Sequence, residues 1–578
     1  MVSSFEMNLN LSTLSIAGAT ALLVLFGAVL LRRSSKENPL MRLSSPNASS
    51  ALFGHLFDLY VSVINWKTTQ PYPEPFLSWV KTYGGAIYLR EFMDDKVLLS
   101  DPLALQHVMV TNAKNYPHEP VVEGFFADAT MGPGLLSTND AAHDRFRKIL
   151  NPHFTSLQVK TFVELFHTHA LQCCNSVLAK ASLSQTSIDL GAVLKQLVLK
   201  IIGLAAFNYD FNQDPAALTA YHDFMMEMNP FLFVGIFLIP GFLHFPLPVL
   251  LRRRRAQYKL KDLFVKTINE RLTAKSTQSG KTKDLLDLML PYSTTKEAIT
   301  HTISFMVGGH ESPMAVLGYI FAFLCSHPES VDRIRQEYRQ ALAMDPNFAS
   351  RDALSALSYT LAVVNETMRL HPAVYELADR ITREDDADVP MSDGSFVHLP
   401  KGTKVQINIA AKHRNPKYWS NPDSFILNRF MEGTKEWNDD LALRQGKSHA
   451  FIFMPFGAGS KQCIGYRFAL AEMQVIVATF LSQFDFKLAK NADIRPMCNL
   501  LVLQPANLQV VVTPVSGSID KIETPSMPPA LLATKAKLQK VKCMTVTTAQ
   551  MLICHPFRRA ENKSLCVSSV DFGEMPRA

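Results

Sequence analysis

The stretch FMPFGAGSKQCIGYRFALAEM, Phe453 to Met473, places one cysteine, Cys463, between a glycine-rich loop and an apolar helical pattern. A thiol just ahead of a helix N-terminus feels the positive end of the dipole, which favours the thiolate. A thiolate is a nucleophile or a metal ligand. A nucleophile would want a base beside it, and the preceding residues are Ser460, Lys461 and Gln462. The loop meets neither the GxxxxGK[ST] spacing of a phosphate loop nor the GxGxxG spacing of a dinucleotide loop. Gly457, Gly459 and Gly465 permit tight turns and close approach of the backbone to a flat ligand. An axial sulfur, a closely approaching backbone and the Lys461 cation form the set that a heme iron and its propionates require.

A second stretch, ITHTISFMVGGHESPMAVLGYIFAFL, Ile299 to Leu324, reads as a long helix too apolar to be exposed. Pro313 has no N–H, so the Gly309 carbonyl loses its partner four residues on. A kink or break is expected there, beside the Glu311 carboxyl and the Ser312 hydroxyl. Elsewhere Glu366 and Arg369 are three residues apart on one helical face, a spacing that alone means only a solvated pair. His143 and Arg147 in HDRFR, read alone, are one face of a basic helix.

Together these motifs resemble the cytochrome P450 family. Phe456, Gly459, Cys463 and Gly465 match its Phe-x-x-Gly-x-Arg-x-Cys-x-Gly loop, with Lys461 in place of the arginine. Lysine keeps the charge and loses the bidentate fork. Gly308-Gly309-His310-Glu311-Ser312 resembles the family's oxygen-activation motif, with Ser for Thr. The run KGTKVQINIAAKHRNPKYWSNPDSFILNRF after the Glu366–Arg369 pair resembles the family's strand-and-meander segment. The resemblance implies a buried Glu366–Arg369–Arg429 triad bracing the loop, with His143 and Arg147 on the propionates. It implies heme b on a Cys463 thiolate, Phe456, Gly459, Lys461 and Gly465 around it, and Gly309, Glu311 and Ser312 on the oxygen side.

The implied fold is mainly α with a small β-rich lobe, and the implied activity is monooxygenation of a lipophilic small molecule. Phe125, Phe126, Phe305, Val374 and Leu377 are expected to wall the pocket. Electrons would come from a separate NADPH-cytochrome reductase, or from cytochrome b5. Two other readings keep the heme: a peroxide isomerase or dehydratase that uses no O2, and a heme-binding protein without turnover. Members of the first kind tend to lack the acid–alcohol pair that Glu311 and Ser312 supply.

The rest of the chain must position these groups. Of its 578 residues 47% are hydrophobic, and the net charge of +7 suits an acidic protein partner or an anionic membrane rather than nucleic acid. Its eight cysteines form no CxxC pair, which argues against a zinc site and fits a reducing compartment. Leu11 to Leu31 is uncharged and apolar, about 30 Å as a helix, and is followed by Arg32, Arg33 and Lys36. The positive-inside rule then predicts a lumenal segment 1–10, a transmembrane anchor 11–31, a linker 32–50 and a cytosolic heme domain 51–515. A single-pass protein of the endoplasmic reticulum membrane follows, with a disordered tail over 516–578. Ala86–Ser100 reads as a hairpin around an acidic turn. Phe231–Leu251 is apolar but carries three prolines and is followed by four arginines, so it reads as a flap in the membrane interface rather than a second span.

Overall fold

The computed structural model describes residues 38–515, except 62, 64–65, 67–70, 227–228, 240, 275–282, 349–350 and 500–501. The expected anchor at 11–31 and the tail at 516–578 lie outside the described residues.

The predicted hairpin forms. Strand β1 (Ala86–Glu91) pairs antiparallel with β2 (Asp94–Leu99), Ala86 opposite Leu99 and Glu91 opposite Asp94. The two-residue turn uses a positive φ of 56° at Phe92, as tight hairpins demand. Four helices then carry functional groups: α1 (Asp140–Leu150), α2 (Leu190–Phe207), α3 (Pro215–Met225) and α4 (Thr295–Leu324). Helix α5 (Ser358–Leu370) leads into β3 (Glu376–Ile381), β4 (Lys404–Asn408) and, after the cysteine loop, α6 (Tyr466–Gln483). The sheet order is β1-β2-β4-β3, with β2 parallel to β4 and β3 antiparallel to it. The mainly α body with a small β-rich lobe is as expected.

Helix α4 starts at a capping box. Thr294 Oγ1 accepts from the Glu297 N–H, and the Glu297 carboxylate accepts from the Thr294 N–H at 2.9 Å. Of the expected kink or break, the break does not form: α4 remains helical through Gly308, Gly309 and Pro313. Packing explains this. A Cβ at Gly309 would sit 2.9 Å from Ile202 Cδ1, so the glycine lets α2 lie tightly along α4 and hold it helical. Helix α2 is long and apolar enough to cross a membrane, yet 61% of it is buried in the protein, as befits a core helix.

The Phe231–Leu251 stretch divides its faces. Leu232, Ile236, Phe242 and Leu250 pack inward with Phe125 and Met226, while Phe231, Ile239 and Phe245 are exposed. Arg252 and Arg255 are exposed beside it, and Arg253 is buried on Asp128 at 2.5 Å.

Candidate active site

One cavity of about 1040 Å³ gathers the predicted residues. One wall is the cysteine loop, with Phe456, Lys461, Cys463 and Gly465. Facing it, α4 contributes Phe305, Gly308, Gly309, Glu311 and Ser312, at the three- and four-residue steps of one helical face. Phe125, Phe126, Val374 and Leu377 close the sides, and His143 and Arg147 from α1 stand at the edge. Gly459 lies outside the lining. Its φ of +70° and the Met109 carbonyl, 2.0 Å from any added Cβ, make it a packing residue of the loop.

Cys463 sits three residues ahead of α6, its N–H donating to the Phe456 carbonyl at 2.9 Å. The thiol is open to the cavity but surrounded by protein, and this burial pushes it up. The Gly465 N–H on the sulfur and the Arg147 charge oppose the shift without reversing it. Desolvation therefore works against the thiolate preference expected from the helix dipole, and a metal ion bonded to the sulfur would favour the thiolate. A Cβ on Gly465 or Gly308 would meet nothing within 4 Å, so both walls leave room for a flat group.

The edge of the cavity is crowded with cations. Burial, then Arg380, brings the Lys461 ammonium down to about 8, and burial, then Lys461 and Arg147, brings His143 down to about 4. Lys461 Nζ donates to the Thr138 carbonyl at 2.8 Å. Arg380, which sequence reasoning missed, is buried with Nε unpartnered, while its Nη1 donates to the Tyr116 carbonyl at 3.2 Å. Such a donor set with an orphaned guanidinium N–H fits a pair of carboxylates, as on heme propionates.

On the opposite wall, burial raises the Glu311 carboxyl, offset in part by the Lys195 charge. Ser312 Oγ donates to the Gly308 carbonyl at 2.7 Å. Just before them in sequence, His310 turns away, its Nδ1 3.0 Å from Tyr221 of α3 and its Nε2 3.1 Å from the Lys195 carbonyl.

Glu366, Arg369 and Arg429 meet under the 413–426 segment, fully buried. Arg369 forks onto Glu366 at 2.7 and 2.9 Å, and Arg429 Nε reaches it at 3.2 Å. The structure adds a fourth member, Asp440, 2.6 Å from Arg429 and equally buried. Nothing in EWNDD, a polar helical run, marks Asp440 as a core residue.

The sequence model of the cytochrome P450 family matches residues 52–512. The chain belongs to the cytochrome P450 family. Membership makes it an oxygen-incorporating oxidoreductase and implies heme with cysteinate ligation of the iron. Among its relatives, this cytochrome P450 is 28% identical to cytochrome P450 monooxygenase 128 of Postia placenta, over 78% of the chain and 87% of that protein. It is 26% identical to ganoderic acid synthetase CYP5150L8 of Ganoderma lucidum, over 83% and 93%. Human cytochrome P450 4B1 is 26% identical over 84% of the chain and 94% of its own length.

Proposed function

We propose that this cytochrome P450 inserts one oxygen atom of O2 into a lipophilic small molecule, with electrons from a separate NADPH-dependent reductase. The observation that carries the reading is the single cavity with Cys463 on one wall and Glu311 and Ser312 on the other. Cys463 would ligate the iron, with Phe456 and Gly465 against the ring. His143, Arg147 and Lys461, joined by Arg380, would hold the propionates. Heme supplies the redox chemistry that activates O2.

The chain's own part on the oxygen side is proton handling. Burial keeps the Glu311 carboxyl protonated further up the pH scale than an exposed glutamate, so it can give a proton and be refilled. Ser312 lines the cavity with its hydroxyl donating to the Gly308 carbonyl at rest, a bond it would exchange for one to a bound group. Gly309 lines the same wall without a side chain in the way. The apolar flanks, from Phe125 to Leu377, would exclude water and seat the substrate.

The Leu11–Leu31 stretch supports a single-pass anchor in the endoplasmic reticulum membrane, with the catalytic domain cytosolic. The exposed Phe231, Ile239 and Phe245 beside Arg252 and Arg255 support contact with the same membrane. The test is reductase-dependent oxygen consumption coupled to product from a lipid panel, with Cys463→Ser as control. Cys463→Ser is expected to lose the red-shifted Soret band of the reduced carbon-monoxide complex. Retention of that band would overturn the ligand assignment, and turnover of peroxides without reductase would overturn the monooxygenase reading.

A further inference from the structure

Behind the cavity wall lies a cluster of oxidisable side chains that the proposed reaction does not use. Tyr375, next to the wall residue Val374, lines the cavity and is buried. Its ring meets Trp66 edge-on, with centroids 5.2 Å apart. Trp66 in turn meets Tyr72 at 4.9 Å, again edge-on. Trp66 is buried and Tyr72 half-buried, so the three rings run in contact from the cavity towards the surface. All three belong to one apolar cluster.

The three rings differ in how they can lose an electron. An indole can give one up and keep its N–H, whereas a phenol must shed its proton as well. The Trp66 N–H stays on the Glu74 carbonyl at 2.8 Å. Burial pushes the Tyr72 and Tyr375 hydroxyls up, and neither has a base to take its proton. Tyr72 Oη has no hydrogen-bond partner, and Tyr375 Oη meets the Cys498 thiol, a weak acceptor. Arg414, 5.1 Å over the Tyr72 ring, also opposes a positive charge there. Trp419 is set differently from Trp66. It reaches Phe453 of the cysteine loop at 6.3 Å, but the guanidiniums of Arg369, Arg429 and Arg444 stand 5.4, 5.8 and 5.4 Å from its ring. Three cations oppose a positive charge on that indole, which leaves Trp66 as the ring suited to hold one.

We infer that Trp66 is an electron donor to the oxidised heme, acting through the Tyr375 ring when no substrate takes up the activated oxygen. Trp66 loses one electron, which crosses Tyr375 and is gained at the heme. The indole radical cation is then reduced through the Tyr72 ring by a small one-electron reductant such as ascorbate or a thiol, which releases its own proton to water. The two steps together discharge an oxidising equivalent that would otherwise attack the heme and the cavity walls. The inference rests on the heme-thiolate monooxygenase reading and adds a protective function to it.

The experiment treats the substrate-free, full-length holoenzyme with hydrogen peroxide in place of reductase and O2. Freeze-quenched samples are expected to show an indole radical by electron paramagnetic resonance, with a hyperfine pattern that changes when the tryptophans carry deuterated rings. Trp66→Phe keeps an apolar ring in place. It is expected to lose that signal and to bleach its heme several-fold faster, with the reduced carbon-monoxide band intact before peroxide is added. Ascorbate should slow bleaching of the unaltered protein and have little effect on Trp66→Phe. Trp79→Phe, in the same apolar cluster, is the packing control and should bleach at the unaltered rate. The absence of an indole radical in the unaltered protein overturns the inference without any variant. So does a signal that persists in Trp66→Phe, or bleaching that is equal in Trp66→Phe and either the unaltered protein or Trp79→Phe. Absence of the red-shifted carbon-monoxide band in the unaltered protein would instead overturn the underlying heme-thiolate reading.

Discussion

Replacing Asp440 by Asn tests whether four buried charges act as one unit. Glu366, Arg369, Arg429 and Asp440 are all fully buried, and two negative charges balance two positive ones. Asp440 Oδ2 accepts from Arg429 Nη1 at 2.6 Å, and Oδ1 accepts from the Ser420 N–H and hydroxyl at 2.7 and 2.6 Å. An asparagine has one acceptor oxygen for these two sides, so its NH2 must face a donor whichever way it lies. The change also leaves a net positive charge in a dry site. Breaking a buried pair from one side costs about 3–5 kcal/mol. At ~2 °C per kcal/mol for a chain larger than a small domain, that is a drop of about 6–10 °C in the midpoint of heme loss. The assay is the survival of the reduced carbon-monoxide band after heating. Arg383→Gln serves as control, since its pair with Asp140 is 42% and 47% exposed and is worth no more than about 1 kcal/mol. If Asp440→Asn and Arg383→Gln fell by the same small amount, the idea of a coupled buried quartet would fail.

Ser312→Ala should still bind oxygen and consume reductant, with product per reductant lower and hydrogen peroxide higher, by up to ~10²-fold where water does not substitute. Unchanged coupling in both this variant and Glu311→Gln would leave their wall without a role in proton delivery. Thr294→Ala removes one half of the capping box at the start of α4 and should cost about 1 kcal/mol, read as a modest fall in thermal midpoint. For Asp386, burial alone would raise the carboxyl, but the donors His107, Tyr116 and Asn112 outweigh it and hold it low. A depressed carboxyl stabilises the fold above its ordinary value of about 3.9, and that contribution is lost as pH falls through the folded value. The stability gap between the unaltered protein and Asp386→Asn should therefore be widest at neutral pH and narrow on acidification; a gap that widens would contradict the assignment.

How much of this was legible in sequence depends on the range of the interaction. The Ala86–Ser100 hairpin, the helix after Cys463 and the Glu366–Arg369 face follow from patterns a few residues long, because strand and helix periods repeat over that distance. The order of glycine loop, cysteine and acid–alcohol motif was enough to identify the family. Folding then decided what spacing cannot carry. Asp440 looks like a surface residue until Arg429 and Ser420 close over it, and Lys96 finds Asp379 only across 283 positions. Pro313 predicted a kink or break, yet the helix continues through it where Gly309 lets α2 pack closely. The helix dipole favours a thiolate at Cys463, and burial of the surrounding loop works against it. Local rules set each element and its own preferences. Which charges are buried together, and whether a preference survives, is fixed by desolvation and by neighbours that only the tertiary fold supplies.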